Sequence, residues 1–377
     1  MRIALIRQRY NPYSGTERFV ARALAAAALS RTELTVIART WQGEPPPAGA
    51  PTVRIVDPFH LGRWWGDVSF EKAVTELLER EHFDLVQSHE RMPGCDIFRA
   101  GDGVHRQWLA HRGRAMTTAR RILTLADPYE RYLLEAERRM FTSSRLRAVI
   151  CNSRMVRDDI RRHFEIDEAK LHVIYNGVDL DWFHPGLRAE YRDAMRMRLR
   201  IGAEQPVFLF VGAGFERKGV PRLLRAFATL ADLRAMLIIV GSDHSVAAAQ
   251  RLASRLRCAD RVRFAGAHED VRPYYGMADC FVLPTLYDPF PNASVEAMAC
   301  GLPVVTSFQS GAAELVVQGV NGYCCDALDL PGLAESMRQA AALRGDGARA
   351  AARRAVEGLS LAATAERLAT LYRSLTG

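Results

Sequence analysis

Residues 280–306 read Cys280-Phe281-Val282-Leu283-Pro284-Thr285-Leu286-Tyr287-Asp288-Pro289-Phe290-Pro291-Asn292-Ala293-Ser294-Val295-Glu296-Ala297-Met298-Ala299-Cys300-Gly301-Leu302-Pro303-Val304-Val305-Thr306. The apolar run Cys280–Pro284 has the length and composition of a buried strand. Asn292 is a good N-cap for a helix running through Ala299, and Gly301 is a good stop. A second apolar run, Val304–Thr306, follows at once. Strand, loop, helix and strand in this order form a βαβ unit, whose strands run parallel because the helix carries the chain back.

The alternation recurs along the chain. Upstream, apolar runs at Arg2–Arg7, Leu34–Ala38, Val53–Val56, Asp84–Ser88, Asp96–Ala100, Ala148–Cys151 and His172–Tyr175 are separated by helical stretches such as Thr16–Leu29, Phe70–Arg80 and Tyr129–Phe141. The series restarts with Val207–Val211, Met236–Val240 and Val262–Ala265, leading into the unit quoted above. Alternating βα units imply parallel sheets covered by helices on both faces, and their double occurrence implies two Rossmann-like halves. Turn signals at Asn176-Gly177-Val178-Asp179 and His184-Pro185-Gly186 mark the joint, so the expected domains are residues 1–180 and 181–358. A last helix, 359–375, has no strand after it and is expected to pack back on the first half. The Pro-rich segment Glu44–Pro51 reads as a surface loop.

At 377 residues, 49% hydrophobic and 25% charged, the chain has a globular composition, which excludes disordered, collagenous and coiled-coil classes. No stretch approaches the ~20 uninterrupted apolar residues of a membrane span. Met1–Arg7 reads as a first strand and not as a signal peptide, so a soluble, cytoplasmic protein is expected. The seven cysteines are scattered without CxxC spacing, which argues against a disulfide framework or a zinc site.

The net charge of +8 is local: residues 99–162 hold fifteen arginines against seven acids, so the rest of the chain sums to zero. Arg106, Arg112, Arg114, Arg120 and Arg121 interleave there with Trp108, Leu109, Met116, Ile122 and Leu123. This mixture suits an anionic lipid surface or a phosphorylated glycan, and equally a solvated helical face. No nucleic-acid-binding motif accompanies the charge.

Open parallel sheets bind ligands beyond the carboxyl ends of their strands, which singles out the loops Gln8–Thr16 and Gly212–Val220. The second contains Gly212-Ala213-Gly214-Phe215-Glu216-Arg217-Lys218-Gly219. Its adjacent cations can neutralise a pyrophosphate, Arg217 by a fork and Lys218 as a point charge. Lys218 is one of only three lysines, against forty-eight arginines. In the quoted stretch, the first-turn amides of the helix after Pro291 form an anion site. Glu296, one turn further in, can accept from a ribose diol, and Asp288 lies eight residues before it.

The stretch 287–305 resembles the acid-x7-acid signature of the retaining GT-B glycosyltransferases of family four. Arg217-Lys218 resembles their donor-diphosphate clamp, Ser14-Gly15-Thr16-Glu17-Arg18 their first glycine loop and Asn176-Gly177-Val178-Asp179 their interdomain turn. Met92-Pro93-Gly94-Cys95-Asp96-Ile97, with Ala100-Gly101-Asp102, is similar to the lipopolysaccharide core glucosyltransferases.

The resemblance implies the GT-B fold, two Rossmann-like domains facing each other across a cleft. It implies that Glu296 holds the nucleotide ribose and that Arg217 and Lys218 bind the diphosphate. The backbone of Phe290, Asn292 and Ala293 would touch phosphate and sugar, and Gly15 would approach the donor phosphate from the other side. Asp288 stands where the family has a glutamate beside the transferred sugar, one methylene longer. Asp102 and His105 follow a strand of the first half and are candidates for orienting the acceptor hydroxyl.

The expected activity is retaining transfer of a hexose from a nucleoside diphosphate sugar, with UDP-glucose or a similar UDP-sugar the best candidate. The acceptor would be a hydroxyl of a lipopolysaccharide core or related cell-surface glycan. The donor is a co-substrate and no cofactor is expected. Asp179-Leu180-Asp181 falls in the interdomain turn, so no metal is expected either. Peripheral contact with the anionic inner membrane through 99–162 is a further expectation. Two rivals stand beside transfer: a sugar-nucleotide epimerase of the same fold, and a non-catalytic binder of anionic surfaces.

Overall fold

The computed structural model describes residues 1–10, 33–42 and 52–376. Gly15, the Thr16–Leu29 stretch and the Glu44–Pro51 segment lie outside the described residues. The chain divides into two units, Met1–Asn176 with Leu361–Gly377, and Gly177–Ser360. The division falls four residues before position 180 because Val178 belongs with the second unit: its amide donates to the Leu359 carbonyl at 2.8 Å, and it bridges Ser360.

The first unit is built on a seven-stranded parallel sheet. Its strands are β1 (Arg2–Ile6), β3 (Glu33–Ala38), β5 (Thr52–Ile55), β6 (Leu85–Ser88), β7 (Ile97–Arg99), β8 (Ala148–Cys151) and β9 (Leu171–Val173), in the order β5-β3-β1-β6-β7-β8-β9. Two further short strands, β2 (Arg9–Tyr10) and β4 (Thr40–Trp41), pair with each other; their brevity hides them from periodicity.

Successive residues of a strand point to opposite faces. Thus Ile3 and Leu5 pack with Val36, Leu85, Ile97 and Ile150 on one face, while Ala4 and Ile6 pack with Ile37, Phe70, Val86 and Val149 on the other. The first face is closed by the C-terminal helix Leu361–Thr376, which contributes Ala365, Leu368, Leu371 and Tyr372. The Tyr372 hydroxyl donates to Gln87 Oε1 at 2.8 Å, so the helix is keyed to β6 by a buried polar bond as well as by apolar area.

The second unit carries β10 (Val207–Val211), β11 (Met236–Val240), β12 (Val262–Gly266), β13 (Cys280–Leu283), β14 (Val304–Ser307) and β15 (Gly322–Cys325), in the order β12-β11-β10-β13-β14-β15. All pairs are parallel, and β10, β11 and β13 are buried nearly throughout, as sheets covered on both faces require. The edge strand β15 is only four residues long and opens on Gly322, so apolar periodicity does not disclose it. All seven cysteines are free thiols. Burial pushes the Cys95 thiol up to about 12, which keeps it protonated and inert.

Candidate active site

The order β11-β10-β13 reverses direction at β10, so the loops after β10 and β13 diverge from neighbouring strand ends and leave a crevice between them. Arg217 and Lys218 close a one-turn helix, Phe215–Lys218, in the loop after β10. Gly214 (φ +76°) and Gly219 (φ +86°) bracket it in left-handed conformations. At Gly219 a side chain is doubly excluded, because a Cβ would run into the Pro284 carbonyl. That close approach brings the loop onto the segment after β13. The Arg217 carbonyl accepts from the Leu286 amide at 2.8 Å and from the Thr285 hydroxyl at 3.1 Å, and its guanidinium reaches the Tyr287 carbonyl at 3.5 Å.

Lys218 Nζ lies 3.8 Å from Asp288 Oδ2, and both side chains are largely buried. Burial pulls the Lys218 ammonium below the ordinary lysine value; Asp288 opposes this, Arg217 adds to it, and Glu296 opposes it more weakly. The ammonium therefore stands in a dry place among both signs of charge. Asp288 is itself clamped by its backbone: its amide donates to the Gln309 carbonyl at 3.0 Å and its carbonyl accepts from Gly311 at 2.9 Å.

The helix after this loop spans Asn292–Ala299. Pro291, not Asn292, occupies the capping position, with extended backbone (φ −69°, ψ 115°) and no side-chain cap. The proline ring fixes its own φ and keeps Phe290 out of the helical region, and the helix begins directly after it, one residue earlier than Asn292's capping chemistry suggests. Phe290 is buried, while Asn292 and Ala293 are half-buried. Ser294 Oγ, fully buried in the first turn, has no partner among the described residues.

Glu296 is buried, and Tyr275 fixes it: the tyrosine hydroxyl lies 3.0 Å from Glu296 Oε2 and 3.2 Å from the Ala293 carbonyl. Tyr275, in the short helix Arg272–Met277, carries no motif and was not foreseen. Asp243, also unforeseen, accepts from the amides of Gly214 at 2.8 Å and Phe215 at 3.0 Å and so anchors the start of the Arg217–Lys218 turn. Burial alone would raise its pKa, but bonds from Ser245 and from these amides hold it at about 2. Its signal was available, because Gly241-Ser242-Asp243 follows β11 on the same strand-end edge.

The first unit holds the remaining candidates. Asp102 is exposed in the turn after β7 and lines a cavity of about 560 Å³ together with Arg7, Arg91, Asp67 and Tyr129. His105 does not line it. Its ring is buried with Nε2 2.7 Å from Glu130 Oε2, and its amide donates to Glu137 at 2.7 Å. The bond from His105 is the main reason the Glu130 carboxyl sits below its usual range. Asp179 accepts from the amides of Asp181 at 3.1 Å and Trp182 at 2.9 Å, a turn-closing role. Among the described residues, no group of three or more His, Cys, Asp or Glu side chains is placed to hold a metal ion.

Two family models cover most of the sequence: residues 13–182 match Glycosyltransferase Family 4, and residues 192–356 match Glycosyl transferases group 1. The chain belongs to the GT-B glycosyltransferases. It is 31% identical over 297 residues to the D-inositol 3-phosphate glycosyltransferase of Streptomyces avermitilis, covering 73% of this chain and 62% of that protein. It thus spans about three fifths of the length of such relatives. It is 24% identical to the lipopolysaccharide glucosyltransferase WaaG of Escherichia coli over 84% of this chain and 83% of that one. The crystal structure of WaaG superposes with a TM-score of 0.83 at 23% identity, covering 98% of this chain and 99% of that chain. The expected fold therefore holds, and the family models agree with the expected family. Arg217 and Lys218, the acids Asp288 and Glu296, and the start of the helix Asn292–Ala299 all belong to the second unit.

Proposed function

We propose that this glycosyltransferase moves a hexose from a UDP-sugar to a glycan hydroxyl with retention at the anomeric carbon and without a metal. The observation that carries this reading is the buried Lys218 ammonium beside Asp288, with Arg217 adjacent and the uncapped helix Asn292–Ala299 following. The C1–O bond to the diphosphate breaks as an oxocarbenium-like sugar forms, and the growing negative charge meets two cations and a helix N-terminus. The acceptor hydroxyl attacks from the face the diphosphate leaves, forms the new C1–O bond and gives its proton to a departing phosphate oxygen. Glu296, oriented by Tyr275, takes the ribose hydroxyls. A solved neighbour at TM-score 0.70 and 20% identity, the Anabaena protein HepE, is a complex with UDP and glucose, which favours the same donor here.

Proton NMR of the product from UDP-glucose, in buffer containing EDTA, tests the reading. An α-linked product formed at undiminished rate is expected; a β-linked product or loss of activity overturns retention or metal independence. Tyr275→Phe is expected to raise the donor KM by roughly threefold to tenfold with kcat little changed, the worth of one hydrogen bond. Initial-rate kinetics read this directly, and an unchanged KM would remove Tyr275 from the ribose site.

The acceptor is assigned to the cavity beside Asp102, whose lining carries both signs of charge and so suits a hydroxyl-rich sugar, and a lipopolysaccharide core sugar fits the WaaG likeness. Membrane contact through 99–162 is part of the same proposal. The helix Thr118–Ala126 exposes Ile122, Leu123 and Leu125 beside Arg120 and Arg121, an apolar and cationic mixture that suits an anionic bilayer surface. No helix among the described residues is long and apolar enough to cross a membrane. Neutralising Arg112, Arg114, Arg120 and Arg121 together is expected to abolish most sedimentation with phosphatidylglycerol vesicles while sparing donor hydrolysis. Undiminished sedimentation returns the segment to a solvated face.

A further inference from the structure

The helix Leu187–Leu199 places Arg188, Arg192 and Arg196 at four-residue spacing on one face. All three reach a single carboxylate, Asp279, at 3.5, 2.8 and 2.6 Å. Asp279 also accepts from the Val207 amide at 3.0 Å. Arg196 is complete, since it donates in addition to the carbonyls of Met277, Gly202, Ala203 and Gln205. Arg192 is nearly so, through Met277 and Ala203. These two suffice to pin the helix to the start of β13.

Arg188 and Arg349 are different. Arg188 has only long contacts, 3.5 Å to Asp279 and 3.3 Å to the Ala278 carbonyl. Arg349, on the helix Asp346–Arg354, makes one long bond from Nε to the Arg344 carbonyl at 3.4 Å. Its Nη2 is shut off from water with no partner among the described residues. Burial, and then the guanidiniums of Arg349 and Arg192, pull Arg188 down to about 10. Leaving such a nitrogen dry and unbonded is costly, and a like-charged cluster raises the cost.

Both side chains line an open cavity of about 880 Å³ whose walls also carry Arg353 and Arg354. The acids on its lining, Asp193, Asp346 and Glu357, form no ion pair among the described residues. Arg353 donates to the Ala299 carbonyl at 3.1 Å, so the cavity adjoins the C-terminal end of the helix Asn292–Ala299, away from its first turn. We propose that this cavity is a second anion site, binding a phosphate-bearing small molecule with Arg188 and Arg349 as its principal contacts. Arg349, with no carboxylate at ion-pair distance among the described residues, and Arg188, held by Asp279 only at 3.5 Å, leave a surplus that a phosphate dianion cancels, and their planar forks match its oxygens.

The test uses full-length protein carrying Arg217→Ala and Lys218→Ala, so that phosphate at the donor clamp does not report. Inorganic phosphate, at ionic strength fixed with chloride, is expected to raise the melting temperature saturably. Adding Arg349→Gln, or separately Arg188→Gln, is expected to weaken that response about tenfold or more, the loss of a charge-assisted contact. Arg349→Gln alone is expected to leave the phosphate-free melting temperature unchanged or higher, because it removes a buried unpartnered charge. A phosphate response equal in all variants, or absent in the parent, overturns the proposal. So does a melting temperature that falls in Arg349→Gln while the phosphate response persists, which marks a helix pin only. Sedimentation with phosphatidic acid vesicles separates the sources: loss of vesicle binding in Arg349→Gln assigns a lipid headgroup, and equal binding assigns a soluble phosphate.

Discussion

Lys218→Ala is expected to lower turnover by about 10²-fold or more, the effect of removing one preorganised donor from a developing anion. The size of the effect follows from where the ammonium sits. Its Nζ is 3.8 Å from Asp288 and largely buried, so its charge acts through a medium far less screening than water. Burial, reinforced by Arg217, holds its pKa below the ordinary lysine value. A diphosphate arriving beside it favours the charged form, so the pull between lysine and leaving group grows as the bond breaks.

Lys218→Arg is not expected to rescue. The side chain lies close over Gly212, whose Cβ would already meet the lysine Cδ and Nζ at 3.0 Å, and a planar guanidinium is wider than an ammonium. Steady-state rates with the preferred donor decide the matter. A kcat within threefold of wild type for Lys218→Ala would show that the clamp does not act on the leaving group.

What the sequence disclosed and what it hid follow from the range of each signal. The central strands, such as Arg2–Ile6, Val207–Val211, Met236–Val240 and Val304–Ser307, are readable because burial on both faces demands unbroken apolar runs, a local property. Arg217, Lys218, Asp288 and Glu296 are readable because charged residues beside glycines and prolines at strand ends have few structural uses. Tyr275 is not, because it acts on a partner 21 residues along the chain, Glu296; for Asp243 the strand-end position is legible, but its partner Phe215, 28 residues away, is not. His105 misleads for the same reason. A histidine opening an arginine-rich helix looks available, yet its partner Glu130 is 25 residues away and buries it. The start of the helix Asn292–Ala299 misleads locally instead, since Asn292 has capping chemistry but Pro291 takes the position by geometry.

Asp279→Ala is expected to cost about 3–5 kcal/mol of stability, the range for removing one partner of a buried ion cluster. Asp279 is 2% exposed and is the only carboxylate within ion-pair distance of Arg188, Arg192 and Arg196 among the described residues. Deleting it strands three guanidiniums, of which Arg196 has no route to water. Asp279→Asn is expected to lose most of the same amount, because it keeps the shape and one hydrogen-bond acceptor but not the charge.

The wild-type cluster carries a pH signature. Burial would raise the Asp279 pKa, but Arg196 and Arg192 outweigh it and leave the carboxyl below its usual value. A folded-state pKa below the unfolded one gives stability that is fully present above about 3.9 and is lost as pH falls toward the folded value. Urea denaturation at pH 7 and in steps down to pH 3 should therefore show wild type and Asp279→Asn converging as the medium becomes acidic. The mutant's deficit should be greatest at pH 7. A deficit that stays constant with pH would mean that Asp279 acts by shape and hydrogen bonding alone. Because Asp279 immediately precedes β13, the strand that delivers Asp288, loss of this pin is also expected to weaken donor binding in the mutant that remains folded.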